Sequence, residues 1–368
     1  MSVPASDSRT APPHAAGTPI RPDRFLGLRI TPLTRRRIER FKKNRRGYWS
    51  LWIFVILFAL SLFAEFIAND KPLIVQYDGR LFFPVVEAVA ETEYGGFFET
   101  EAVYTDPEVQ ALIEEKGWMV WPLIPYSYRN PSYNLNAPAP TPPDATHWLG
   151  TDDQARDVVA RTIYGFRISV LFGLALTLFS SVVGVMIGLM QGYFGGLTDL
   201  IGQRAIEVWN GLPELFMLII LASIVQPNFW WLLGLMLLFS WPTLVGLVRA
   251  ETLRARNFDY VRAAKALGVS DAVIMVRHVL PNAMVATITF LPFIATGSVT
   301  TLTALDFIGF GLPPGSASLG ELLKQGKENL QAPWLGLTGF FVIGGMLTLL
   351  IFIGEAARDA FDPRKTMV

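Results

Sequence analysis

The chain contains no cysteine and only three histidines among its 368 residues, which narrows the chemistry open to it. Without cysteine, neither disulfide bonds nor thiolate metal sites can form. His14, His147 and His278 lie far apart, without the short spacing typical of paired metal ligands. We therefore expect no metal site.

A phosphate-binding loop is also missing. Such a loop needs glycine, four residues, and then glycine, lysine and serine or threonine. The nearest candidate, Gly326-Lys327, is followed by Glu328, and Glu321 stands where the first glycine should be. We expect no catalytic residues and no cofactor here, so if the protein uses ATP, another polypeptide must hydrolyse it.

Long apolar runs are abundant, since the chain is 51% hydrophobic and only 17% charged. A hydrocarbon core about 30 Å thick requires about 20 helical residues, and six segments are long enough. The sequence therefore predicts an all-α polytopic membrane protein with six transmembrane helices. These lie at approximately residues 49–68, 168–191, 205–225, 229–248, 283–304 and 334–356.

The polar segments divide the chain into five parts. Residues 69–166 are too long for a simple loop, so we expect a partly folded extracytoplasmic insert between helices one and two. Within it, Asp78-Gly79 predicts a hairpin, and Asp106-Pro107 predicts a helix start that Gly117 ends. The five parts are a basic tail (1–47), the first transmembrane helix (48–68), the insert (69–166), a permease core with five transmembrane helices (167–358) and a C-terminal tail (359–368).

Charge is distributed unevenly although the formal net charge is zero. Basic residues cluster in 35–46, in 249–277 and in 358–365, whereas the insert is rich in aspartate and glutamate. Basic segments stay in the cytoplasm, which places both termini there after six crossings. The run beside Tyr48-Trp49 could instead bind nucleic acid, but an interfacial aromatic pair favours the membrane.

Two further segments carry informative patterns, one within a predicted membrane helix and one between two of them. Ser180, Gly184, Gly188 and Gly192 recur every four residues, which predicts a stripe of small side chains for close helix packing. Between the fifth and sixth helices, residues 306–333 are rich in glycine and proline, with helical character at 319–323. That segment either contacts a delivering protein or packs as a re-entrant loop.

Glu207, Asn210 and Glu214 are spaced so that one continuous helix would carry them on a single face. A charge at bilayer depth costs on the order of 3 kcal/mol, so such a face should meet water or protein rather than lipid. We predict that the three residues line a transport pathway. In the alternative, Glu207 lies at the interface near Arg204 and Glu214 pairs with a neighbouring helix.

The most informative segment is 259–282, a charged pair of short helices between two apolar runs. Arg262, Ala263 and Ala264 occupy helical positions, and Gly268 can end that helix. Ser270 can cap the next helix, before Leu280-Pro281 closes the segment. The pattern predicts a helical hairpin at the membrane surface.

This hairpin resembles the EAA loop of ABC importer permeases. Ala263, Ala264, Gly268, Leu280 and Pro281 match the loop's pattern, whereas Arg262 replaces the usual glutamate. The resemblance implies that these six residues couple the permease to an ATPase. It also implies that Arg262 changes the electrostatics of that contact.

Further blocks resemble the dipeptide and oligopeptide branch of these permeases. The narrower likeness is to the permease of microcin C type peptide importers. The blocks are Leu149-Gly150-Thr151-Asp152, Arg156-Asp157, Arg161, the run from Gly165 to Ser169, Gly192 to Gly196, Asp199, Arg204, Pro213, Gly309 to Pro313 and Arg358 to Arg364.

The resemblance implies a permease subunit of an ATP-driven importer for peptides or peptide-like compounds, in a bacterial inner membrane. Its expected partners are a second permease subunit, one or two ATP-binding chains, an extracytoplasmic substrate-binding protein, the peptide substrate and membrane lipid, with no nucleic acid. A secondary transporter driven by an ion gradient and a membrane scaffold without transport remain as alternatives. The identity and length of the substrate do not follow from the sequence.

Overall fold

The computed structural model describes residues 24–25, 28–29, 32–133, 135, 137–225 and 228–361. Among them, four helices are long and apolar enough to cross a membrane: Arg45–Leu62, Val158–Phe194, Asp271–Ile308 and Pro333–Phe361. Two bent pairs pass the same test together, Gly196–Asn210 with Glu214–Ile224, and Phe229–Ser240 with Pro242–Ala255. The predicted class of helical membrane protein is confirmed, with only a few short strands among the described residues. The count of six spans stays a prediction, because it requires each bent pair to cross as one.

The helices are numbered in chain order, and those outside the insert are given first. They are α1 (Pro32–Lys43), α2 (Arg45–Leu62), α3 (Ala64–Ile67), α5 (Val158–Phe194), α6 (Gly196–Asn210), α7 (Glu214–Ile224), α8 (Phe229–Ser240), α9 (Pro242–Ala255), α10 (Asp259–Ala266), α11 (Asp271–Ile274), α12 (Leu280–Ile308), α13 (Leu319–Glu328) and α14 (Pro333–Phe361). The short helix α4 (Pro107–Lys116) belongs to the insert.

The α6–α7 pair bends by 73° at residues 211–213. Pro213 ends the straight run there because it has no backbone N–H for the helical ladder. Glu214 then begins α7. The premise that Glu207, Asn210 and Glu214 share one helical face is therefore wrong.

Helix α5 lies at the centre of the bundle and packs against α9 and α12. A Cβ added at Gly184 would lie 2.7 Å from the carbonyl oxygen of Trp241, and one at Gly188 would lie 2.8 Å from that of Val245. These distances are shorter than a real Cβ contact allows. The predicted stripe of small residues is thus confirmed as the surface on which α9 packs.

The insert contains a small folded unit of its own. Its three antiparallel strands, β3 (Ile74–Tyr77), β4 (Arg80–Phe82) and β5 (Gly117–Val120), lie in the order β4-β3-β5, with α4 (Pro107–Lys116) alongside. The predicted turn is confirmed, since Asp78 and Gly79 both have positive φ between β3 and β4. The predicted start of α4 is also confirmed, because the Asp106 carboxylate accepts a hydrogen bond from Glu108 N at 2.9 Å.

Several predicted boundaries shift. Helix α5 begins at Val158 and α2 begins at Arg45, both before the predicted boundaries at 167 and 48. The division of the chain into five parts stays a prediction, because a helix can extend beyond the membrane. The predicted N-terminal tail contains α1 and two paired strands, β1 (Arg24–Phe25) and β2 (Leu28–Arg29). The other residues before Pro32, and residues 362–368 of the C-terminal tail, lie outside the described residues.

Candidate functional site

The predicted hairpin begins with α10 and turns at Gly268, as expected. Gly268 has φ +78°, a left-handed conformation that glycine adopts without strain. The turn satisfies the end of α10, because Leu267 N donates to Ala263 O at 3.0 Å and Val269 N donates to Ala264 O at 3.1 Å. Ser270 takes the N-cap position of α11, although its side chain makes no capping hydrogen bond.

The prediction that Leu280-Pro281 closes the segment is wrong. A π-helical turn, Met275–Val279, joins α11 to α12 without a break, so residues 271–308 form one continuous helix that is long and apolar enough to cross a membrane. Pro281 lacks the backbone N–H that would continue the helical ladder, and the π-helical turn, where the ladder is already irregular, lies directly before it. The second arm of the hairpin is therefore the end of a membrane helix.

The six predicted coupling residues do not form one surface. Ala264 is only 9% exposed and packs inward, beside Val261, against the bundle. Arg262, Ala263, Gly268 and Pro281 are exposed, and Leu280 is half-buried. Sequence spacing located the hairpin but did not separate its inner face from its outer one.

The outer face combines cations with exposed apolar side chains. Arg262 reaches only a weak contact, 3.5 Å from its Nη2 to Asn257 Oδ1, and Lys265 Nζ lies 3.9 Å from the Asp271 carboxylate. Leu267 is 83% exposed and Val276 is 61% exposed. Apolar side chains exposed beside cations suit contact with another protein.

Hydrogen bonds attach the hairpin to the end of α5. The Tyr193 hydroxyl donates to Asp271 Oδ1 at 2.5 Å, although the two residues come from different helices. Just before the hairpin, at the end of α9, Arg256 Nη1 donates to the carbonyl oxygens of Gly192 and Tyr193 at 3.1 and 3.3 Å. Gly192 and Tyr193 belong to one of the blocks that resemble the permease branch, but the sequence predicted no contact between them and the hairpin.

The three predicted pathway residues lie on two helices that meet at the bend. Glu207 is exposed and forms an ion pair with Arg204, as the alternative interpretation expected. Asn210 is the last residue of α6, and Glu214 lies in the first turn of α7, where the helix dipole favours a negative charge. A role for them in transport stays a prediction.

A second group of charged residues lies at the other end of α5 and was not predicted as a site. We call it the buried ionic cluster; it consists of Asp152, Arg156, Arg161, Glu321 and Gln325. The two arginines and the aspartate are at most 1% exposed. Such burial requires that charge be neutralised, and two carboxylates meet two guanidinium groups here.

The buried ionic cluster joins the end of the insert to α13. Arg156 Nε donates to Asp152 Oδ2 at 2.7 Å and its Nη2 donates to Glu321 Oε1 at 3.2 Å. Arg161 Nη2 donates to Glu321 Oε2 at 2.5 Å. Burial lowers the pKa of Arg156, but its hydrogen bond and charge interaction with Asp152 outweigh that and raise the pKa, so the group stays cationic. The sequence did mark part of this cluster, since Asp152, Arg156 and Arg161 all stand in the blocks that resemble the permease branch.

Within the described part of the chain, no group of three or more histidine, aspartate or glutamate side chains could hold a metal ion. His147 Nδ1 instead lies 2.8 Å from Asp157 Oδ2, inside the protein. His278 lies in the hairpin, far along the chain.

Comparison with known proteins is consistent with this architecture. Residues 184–367 match the model of the family described as binding-protein-dependent transport system inner membrane component. Residues 32–81 match the N-terminal TM domain of oligopeptide transport permease C.

Three relatives illustrate the likeness. The inner membrane ABC transporter permease protein YejE of Escherichia coli is 60% identical, over 92% of this chain and 99% of the relative. The peptidoglycan transport system permease protein YejE of Agrobacterium fabrum is 56% identical, over 97% of this chain and 99% of the relative. The oligopeptide transport system permease protein OppC of Lactococcus lactis is 36% identical, over 60% of this chain and 76% of the relative.

The extent of these matches confirms the predicted family and the prediction of a transport subunit without its own ATPase. It also confirms a multi-pass protein of the inner membrane. The chain belongs to the inner membrane components of binding-protein-dependent transport systems, and it is a permease subunit.

Proposed function

We propose that this permease carries peptides or peptide-like compounds across the inner membrane, with the 259–282 hairpin as the element that a separate ATPase moves. One observation carries the proposal: the hairpin is continuous with α12 and is hydrogen-bonded to the end of α5. A displacement applied to its exposed face is therefore transmitted to two long helices of the bundle, because packed helices move as rigid bodies.

The choice of peptide as substrate comes from the relatives. One relative is named for oligopeptide transport and another for peptidoglycan transport, and peptidoglycan contains peptide chains. In this proposal the partners are a second permease, one or two ATP-binding chains and a substrate-binding protein outside the membrane. The basic segments and both termini face the cytoplasm.

Gly268 offers a sharp test of the hairpin. A Cβ there would meet no atom within 4 Å, so a substitution strains the backbone without a steric clash. A β-branched residue in this left-handed conformation costs on the order of 1–2 kcal/mol, whereas asparagine tolerates it. Gly268→Val should distort the turn, and Gly268→Asn is the matched control.

The assay is peptide uptake by vesicles that contain the co-purified complex, measured together with ATP hydrolysis. We expect Gly268→Val to lose most uptake while the protein stays in the membrane, and Gly268→Asn to keep it. Normal uptake by Gly268→Val would contradict the coupling role.

A further inference from the structure

An unusually basic segment precedes the first membrane helix, and the functional assignment does not use it. Residues 35–46 contain eight cationic side chains and one acidic side chain, Glu39, which pairs with Arg35. The segment is held against the protein, since α1 packs on α14 and the Arg37 guanidinium lies 4.6 Å from the centre of the Phe361 ring. The helix that carries most of these cations is therefore attached to the bundle.

The break between α1 and α2 opens a polar cavity of about 510 Å³. Asn44 stands at the break and caps α2, because its side chain accepts a hydrogen bond from Gly47 N at 3.2 Å. The next turn packs closely on α14, since a Cβ at Gly47 would lie 2.1 Å from the Ala356 Cβ. The lining residues are Lys43, Asn44, Arg45, Arg46, Phe352, Glu355 and Asp359, so three cations outnumber two carboxylates.

An exposed apolar stripe continues directly from this cavity along α2. Trp49, Trp52 and Ile56 follow Arg45 at helical spacing and are 61%, 47% and 53% exposed. Cations at the base of an apolar, aromatic-rich helix face complement a molecule with a negative head and an apolar tail. A free anion would use the cations but leave the stripe uncovered.

We propose that the cavity between α1 and α2 binds the phosphate headgroup of an anionic phospholipid, whose acyl chains lie along the Trp49 face. Basic pockets at the membrane surface bind such headgroups because each nearby cation adds to the attraction. Aromatic side chains at headgroup level favour the same position for the lipid. This lipid site is separate from the proposed transport function and does not depend on it.

The test uses the intact transporter complex and titrates phosphatidylglycerol, with phosphatidylcholine as the neutral lipid, by native mass spectrometry. Each cation removed should weaken phosphatidylglycerol binding by about fivefold. The variants are Arg45→Gln, Arg46→Gln and the pair. The pair Arg45→Lys with Arg46→Lys keeps the charge and should keep the binding. The control pair is Arg80→Gln with Lys116→Gln, two exposed cations of the insert, which should change nothing.

Three results would overturn the proposal. The first is equal retention of phosphatidylglycerol by the glutamine pair and the unaltered protein. The second is displacement of the lipid by tens of millimolar inorganic phosphate, which would show a site for a free anion. The third is an efficient cross-link from position 49 to another subunit in the assembled complex, which would show that protein covers the stripe.

Discussion

Replacing Glu321 with glutamine removes one of the two carboxylates that neutralise the buried ionic cluster. Arg156 and Arg161 are 1% and 0% exposed, and both donate hydrogen bonds to Glu321, at 3.2 and 2.5 Å. Breaking a fully buried ion pair costs about 3–5 kcal/mol, because a charge is left without a partner. The Glu321 side chain is 24% exposed, so water offsets part of this loss and we expect about 2–4 kcal/mol.

The assay is thermal unfolding of the purified protein in detergent. Glu321→Gln should lower the apparent melting temperature by about 3–5 °C. Glu328→Gln is the matched control, because this exposed residue stands on the same helix and should have little effect.

A double-mutant cycle tests the mechanism. Arg161→Gln combined with Glu321→Gln leaves Asp152 with Arg156 and restores neutrality. The double variant should therefore be less destabilised than the sum of the single variants. Additive effects, or a Glu321→Gln shift no larger than that of Glu328→Gln, would refute the reasoning.

Three further outcomes follow from the packing. Gly188→Leu should prevent α5 and α9 from packing and sharply reduce the yield of folded protein by size-exclusion chromatography, whereas Gly246→Leu, where a Cβ meets no atom within 4 Å, should not. Tyr193→Phe loses the hydroxyl bonded to Asp271 and should lower peptide uptake per ATP hydrolysed in vesicles; an unchanged ratio would argue against this link. If Glu207 forms only an exposed ion pair, Glu207→Gln should leave uptake near normal, and abolished uptake would support the predicted pathway role instead.

Local patterns predicted local structure well. The turn at Asp78-Gly79, the cap at Asp106 and the end of α10 at Gly268 all depend on residues close in sequence, and all are confirmed. The small-residue stripe on α5 also predicted close packing, although it did not identify α9 as the partner. Helical periodicity failed at Pro213, because it assumes an unbroken helix and cannot show where a bend turns one face away from another.

The sequence by itself determined the membrane class, the family and the position of the hairpin, since apolar length and motif spacing are properties of consecutive residues. Only the tertiary structure decided which hairpin residues face outward, and that the second arm continues into α12. It also decided that Glu321 neutralises Arg156 and Arg161 from a distant part of the chain. The physical reason is that burial and charge pairing depend on which helices pack together, and no local pattern specifies contacts between residues so far apart in sequence.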